Sequence, residues 1–255
     1  MVETENNMMT TPFSVFGLDR RGALMQMCSV QNYITTPEDT DGAPFGYDGG
    51  YEDGDRKVYH NRFAPAPGYM YYKTFDSVDI DRKNGIEKQS LMLQGAVVKN
   101  PTIPVMPIDS VETGVSKIPF TVTAQHGISI SEGTLSIDEN VEDPWMDVSL
   151  TIPEYSEIYV RFKDFDAGQR LVVHFVREDG TKKTFLARDR YWAYGQKDFS
   201  ALIDTTSNGG DREGRYQMHL SGTHECRLDE LEFYAYDMKN YEKAARASQR
   251  LHAGD

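Results

Sequence analysis

The second half of the chain is a succession of strand-length runs, and this pattern limits the fold more than any other feature. After residue 115 come "IPFTVTAQ", "GISISEGTLSI", "MDVSLTIP", "EIYVRFKDF", "QRLVVHFVRED", "KKTFLARD", "GRYQMHLSG" and "LDELEFYAYDM". Turn residues such as Glu178-Asp179-Gly180 divide them. In "WMDVSLTI" the apolar Met146, Val148, Leu150 and Ile152 alternate with Asp147, Ser149 and Thr151, the period-two signature of a strand with one buried face. Many short strands at this spacing predict a mainly β chain built as an antiparallel β-sandwich or jelly roll. The alternation places Val148, Leu150, Ile152, Val160, Phe162, Val172 and Phe233 in its core.

The first part reads differently. Residues 1–16 read as a disordered lead-in, and 17–110 as a small, loop-rich α/β part. "GLDRRGALMQMC" spaces its apolar residues as a short helix does, and "SVQNYITT" alternates as a strand that Pro37 ends. Gly, Pro, Asp and Tyr crowd residues 37–82, too aromatic for a linker, so this stretch is expected to pack. In "NGIEKQSLMLQG" the Asn84-x-x-Glu87 spacing is a capping-box variant and Gly95 marks the end of the helix. A strand follows through "AVVKNP". The sandwich is expected over 111–238, and "NYEKAARASQRLHAG" makes 239–255 a helical exit segment.

Composition removes several classes. The chain has 255 residues, 39% hydrophobic and 26% charged, as in a folded globular protein. Its longest apolar runs, such as "LVVHFV", fall far short of the about 20 residues of a membrane span. "MVETENNMM" has no apolar signal-peptide core. The expectation is therefore a cytoplasmic protein or an excised piece of something larger. A net charge of −13 argues against nucleic acid as a partner and against broad attraction to anionic membranes. From Arg161 to Lys197, however, nine basic residues face five acidic ones. This is either a solvated strand surface or a local anion-facing patch.

Catalytic and metal signatures are absent. Cys28 and Cys226 are too far apart in sequence for a short metal knuckle, and two unpaired, buried thiols are expected. "HLSGTHEC" brings His219, His224 and Cys226 close in sequence, but metal sites draw on a second pair and none is evident. "DSVDIDRKNGIE" is not a calcium loop: counted from Asp79, Gly85 stands seventh rather than sixth. Asp81 and Asn84 suit a turn and a cap better. There is no GxSxG, GxGxxG, P-loop or HExxH motif, and no carboxylate pair stands out as a glycosidase dyad. No catalytic residue, metal or cofactor is assigned.

One candidate binding segment is left. "RDRYWAYGQKDF" sets Tyr191, Trp192 and Tyr194 among Arg188, Arg190 and Lys197. Flat rings beside polar donors can stack on a sugar. The competing role for Trp192 is to anchor the sandwich core or a strand connection, and the same holds for Trp145 after Pro144.

Five stretches in collinear order resemble the YfhO family of bacterial membrane proteins. "GIEKQSLMLQGAVV" is similar to that family's "EKQ" helix leading into a strand. "LMQMCSVQNYITT" resembles its helix-to-strand passage, and "APFGYDGGY" its following loop. "YGQKDFSALIDTTSNGG" resembles its tyrosine-glycine turn, and "LDELEFYAYDMKNYEKA" its closing strand with a "Y-x-M-x-x-Y-E" exit. The likeness covers about residues 17 to 245. It implies a polytopic parent with a membrane glycosyltransferase-like fold, adding sugars to cell-envelope polymers from a polyprenyl-phosphate-linked donor. This chain has no membrane span, so it resembles the extracytoplasmic soluble region, and no catalytic residue carries over. The resemblance implies a non-catalytic domain on the extracytoplasmic face. Its partners would be a cell-envelope glycopolymer or polyprenyl-linked sugar and the membrane-embedded remainder of the parent. The alternative is a freestanding carbohydrate-binding or purely structural β-sandwich module.

Overall fold

The computed structural model describes residues 10–11, 14–15, 18, 20–36, 43–63, 71–138, 140–163, 170–177, 182–188, 198–205, 212–221 and 226–250. The chain is mainly β and divides into two compact units. Among the described residues, the first takes those from 20 to 115 and 237 to 250, and the second those from 10 to 18 and 116 to 236.

The second unit is the sandwich. Apart from the two-residue strands β1 (Thr10–Thr11) and β2 (Ser14–Val15), its strands come late in the chain. They are β8 (Val115–Ile118), β9 (Phe120–His126), β10 (Ile128–Ser131), β11 (Thr134–Ile137), β12 (Trp145–Ile152) and β13 (Ser156–Phe162). β14 (Arg170–Arg177), β15 (Lys182–Arg188), β16 (Phe199–Thr205), β17 (Arg212–Ser221), β18 (Cys226–Arg227) and β19 (Leu231–Asp237) follow. One sheet runs β15-β14-β17-β12-β9 and the other β16-β13-β19-β8, while β10, β11 and β18 form a third, smaller sheet.

The core lies between the two larger sheets. Met146, Val148, Leu150 and Ile152 from β12 meet Ile158, Val160 and Phe162 from β13 and Phe233 from β19 in one buried cluster. The rings of Phe120 and Phe233, one from each sheet, meet edge to face at 5.1 Å. Six of the seven residues placed in the core from alternation are buried there; the side chain of Val172 lies outside the described residues. Trp145 is on the other face of β12 from this core. It is half-buried beside the His126 ring, so it marks the strand's start rather than filling the sandwich.

The first unit is α/β. Its elements are α1 (Gly22–Met27), β3 (Asn32–Thr35), β4 (Tyr47–Asp53), β5 (Arg56–Asn61), β6 (Thr74–Asp76), α2 (Ser77–Asp81), α3 (Gly85–Gln94), β7 (Ala96–Val98) and α4 (Met238–Arg250). β6 and β7 pair in parallel through α2 and α3. The stretch read only as packed loop supplies β4 and β5, which join β3, the strand its alternation predicts, in an antiparallel sheet of order β3-β5-β4. Its hairpin turns at Gly54-Asp55, where Gly54 has φ +63°, a conformation that glycine takes without strain. Burial pushes the Tyr47 phenol up to about 12, so it stays protonated and donates to the Val30 carbonyl at 2.8 Å.

The helix at 85–94 forms as its spacing predicts. The Asn84 side chain accepts from the Ile86 and Glu87 amides, and Glu87 accepts from the Asn84 amide. Four of the helix's orphan donors lie at this end, so the reciprocal bonds fix where it starts. Gly95 ends it for a steric reason: a Cβ there would lie 2.5 Å from Phe75 Cε2 and 2.9 Å from the Lys73 carbonyl oxygen. Behind α3, Leu91 packs with Phe75, Ile80, Ile108 and Val111. α4 opens with Asp237 accepting from the Lys239 amide and buries Met238, Tyr241 and Ala245 on one stripe. Tyr241 closes edge-to-face on Phe45 and Phe63, and Arg62 lies over both phenylalanine rings while pairing with Glu242 at 2.7 Å.

Candidate functional site

α3 is unusual in what it buries. Lys88, Gln89 and Ser90 are all more than nine-tenths buried. The Ser90 hydroxyl donates to the Thr113 carbonyl at 2.6 Å, and one turn on the Gln94 amide donates to the Glu112 carbonyl at 2.9 Å. These two bonds hold the returning segment 110–113 against the helix. On the other side, the Met106 amide donates to the Thr74 carbonyl at 2.8 Å and ties residues 99–107 to β6. Gly114 lets α4 come close, since a Cβ there would meet Asn240 Cβ at 2.6 Å.

A cleft of about 430 Å³ opens within the first unit between these pieces. The buried Leu93, Val111 and Ala244 give it an apolar floor, and the exposed Met106 stands at its mouth. Tyr72, Lys73, Glu112, Asn240 and Lys243 supply its polar and aromatic edge. The Tyr71 hydroxyl donates to the Met92 carbonyl at 2.6 Å, whereas Tyr72 next to it is 82% exposed. The Lys73 ammonium donates to Gln94 at 3.2 Å. An apolar floor, an exposed ring and a few amide, carboxylate and ammonium groups are the chemistry that seats a sugar, with its apolar and hydroxylated faces.

A second cluster lies in the other unit, on Glu232. Lys117, Arg161, Lys163 and the Tyr234 hydroxyl converge on its carboxylate at 2.8, 3.0, 3.2 and 2.9 Å. Burial pushes this carboxyl up, and the donors from Lys117, Arg161, Tyr234 and Lys163 overcome that and bring it down to about 2. Arg161 also pairs with Asp198. Two of the basic residues counted between Arg161 and Lys197 are thus engaged with a buried carboxylate, which removes them from the anion-facing reading.

The residues singled out by sequence fare unevenly. Arg188 closes β15, and its side chain lies outside the described residues; Arg190, Tyr191, Trp192, Tyr194 and Lys197 also lie outside them. His219 is held by Asp143 at 2.9 Å and Gln217 at 2.8 Å. Cys28 is a free thiol but an exposed one, because it caps the end of α1 instead of continuing its buried face. Sequence reading missed the cleft. Its walls come from residues 71–73, 93–94, 106–112 and 240–247, and no local motif joins them.

Among solved structures, the chain is similar to a hypothetical protein from Leishmania major at 9% identity, over 49% of this chain and 76% of that one, with a TM-score of 0.15. It is also similar to the enzymatically active domain of tailspike protein 4 from bacteriophage CBA120. That match has 12% identity over 58% of this chain and 22% of that one, with a TM-score of 0.21. Neither score supports an argument from shape. Comparison with curated proteins finds no match. Among the described residues no helix is long and apolar enough to cross a membrane. The family model for the bacterial membrane protein YfhO matches residues 9–253, nearly the whole chain, and the chain belongs to that family.

Proposed function

We propose that this chain is a non-catalytic, extracytoplasmic domain of a membrane protein that glycosylates cell-envelope polymers, and that the cleft of the first unit holds the acceptor glycan. The observation that carries the proposal is the cleft itself, where the exposed Tyr72 ring stands at the edge of an apolar floor beside Glu112, Asn240 and Lys243. Lys73 and Lys243 suit an anionic polymer at short range, within the Debye length of about 8–10 Å, despite the chain's net charge of −13.

Three buried acids are engaged in structure. Glu157 accepts from Tyr159 at 2.6 Å, Asp204 accepts from Tyr216 at 2.7 Å, and Glu232 sits in its cationic ring. This favours a binding role over a catalytic one. On residue types alone, Arg188, Arg190, Tyr191, Trp192, Tyr194 and Lys197 are proposed as a second contact for the same polymer. A polyprenyl-linked sugar and the membrane-embedded remainder of the parent are the other proposed partners.

The test is calorimetric titration of the chain with a purified anionic envelope glycopolymer. Tyr72→Ala is expected to weaken binding about tenfold, the worth of one stacked ring, with the melting midpoint unchanged. Absence of binding by the unaltered chain, or equal binding by the variant, would count against the cleft.

A further inference from the structure

Residues 102–107, "TIPVMP", are all exposed. Ile103 is 54% exposed and Val105 and Met106 37% each, with Tyr72 beside Met106 at the mouth of the cleft. A run of outward apolar side chains is not what a water-facing loop selects. Nor is the run loose. Pro101, Pro104 and Pro107 fix every third φ, and Asn100 turns the chain at φ +51°. The Met106 amide is bonded to Thr74, and Ile108 is buried directly after. The fold thus holds a stiff apolar ridge outward at a cost in exposed surface.

The surroundings carry positive charge in an acidic chain. Lys99 precedes the ridge, and Lys73 and Lys243 stand on the adjoining cleft edge with Glu112 as its acid. Asp109, just past the ridge, is bonded to Lys83 at 3.0 Å. Apolar tips, an exposed tyrosine and flanking lysines match the boundary between acyl chains and anionic headgroups, and the family is one of membrane proteins.

We propose that Ile103, Val105, Met106 and Tyr72 form a bilayer-contacting ridge that rests in the headgroup region, with Lys73, Lys99 and Lys243 against anionic lipid. The ridge shares Tyr72, Met106, Lys73 and Lys243 with the mouth of the cleft, so lipid and glycan would compete there, and quenching by brominated lipid reports the first where calorimetric titration reports the second.

The full chain, carried on vesicles by a terminal hexahistidine tag and a nickel-chelating lipid, tests this. The vesicles contain phosphatidylglycerol and phosphatidylcholine in equal parts, with or without brominated acyl chains. A Tyr72→Trp variant is expected to gain emission that is blue-shifted and quenched by the brominated lipid, beyond that of the unaltered chain. Adding Ile103→Ser, Val105→Ser and Met106→Ser should lower the bilayer-contacting population about tenfold, by loss of apolar contact. All four positions are exposed, so the melting midpoint should hold and report that the fold is intact. Emission of Tyr72→Trp that brominated lipid leaves unchanged, or equal quenching in the serine variant, overturns the proposal. A ridge that docks on a protein instead would give the first of these results.

Discussion

Asn84 and Glu87 bond to each other's backbone: Asn84 Oδ1 accepts from the Glu87 amide at 2.9 Å while Glu87 accepts from the Asn84 amide at 3.3 Å. This pair sets the first residue of α3, and α3 in turn carries Ser90 to the Thr113 carbonyl and Gln94 to the carbonyl of Glu112, a residue lining the cleft. Removing the cap by Asn84→Ala is expected to cost about 1 kcal/mol, read as a lowered denaturant midpoint with an unchanged slope. A cost near zero would mean that tertiary packing alone places the helix.

Gly95 allows α3 to end against β6. In a Gly95→Ala variant the new methyl would meet Phe75, which is fully buried, and the Lys73 backbone. The expected loss is about 1–3 kcal/mol, measured by chemical unfolding. Since Lys73 lies on the cleft edge, glycan affinity should fall together with stability.

Glu232 makes stability depend on pH in acid. Its carboxyl falls to about 2 in the folded chain, below its ordinary 4.5. A lowered folded value stabilises above the unfolded value, and that stability is lost as pH falls from about 4.5 through 2. The contribution is on the order of 2 kcal/mol. Glu232→Gln should flatten this part of the stability profile. It should also destabilise at neutral pH, because Lys117, Arg161 and Lys163 would face one another without the carboxylate. A profile that keeps its slope in the variant would assign the acid sensitivity elsewhere.

Pure chain is expected to give no glycosyl transfer from a lipid-linked sugar and no hydrolysis of glycosidic bonds. The measurement is release or transfer of radiolabelled sugar. Turnover above the buffer control would require a catalytic constellation that the described residues do not display.

The sandwich was legible because its strands alternate. In β12 each second residue from Met146 to Ile152 is apolar, and one buried face follows directly. α3 was legible from its cap. The hairpin of β4 and β5 was not, since Tyr51 is 58% exposed and glycines occupy positions 49, 50 and 54, so no alternation survives. What signalled it was the Gly54-Asp55 turn pair. The burial of Lys88, Gln89 and Ser90 was hidden because their polarity predicts the opposite. The cleft was illegible for a further reason: Tyr72, Met106 and Lys243 become neighbours only when α4 folds back onto the first unit.

Hydrogen exchange of the chain with and without a purified envelope glycopolymer tests the central claim most directly, because it locates the bound polymer. The account predicts slowed exchange in 71–74, 93–95, 106–113 and 240–247, the segments around the cleft, and less protection over 188–197. Protection confined to 188–197, or none in the cleft segments under saturating polymer, would contradict it.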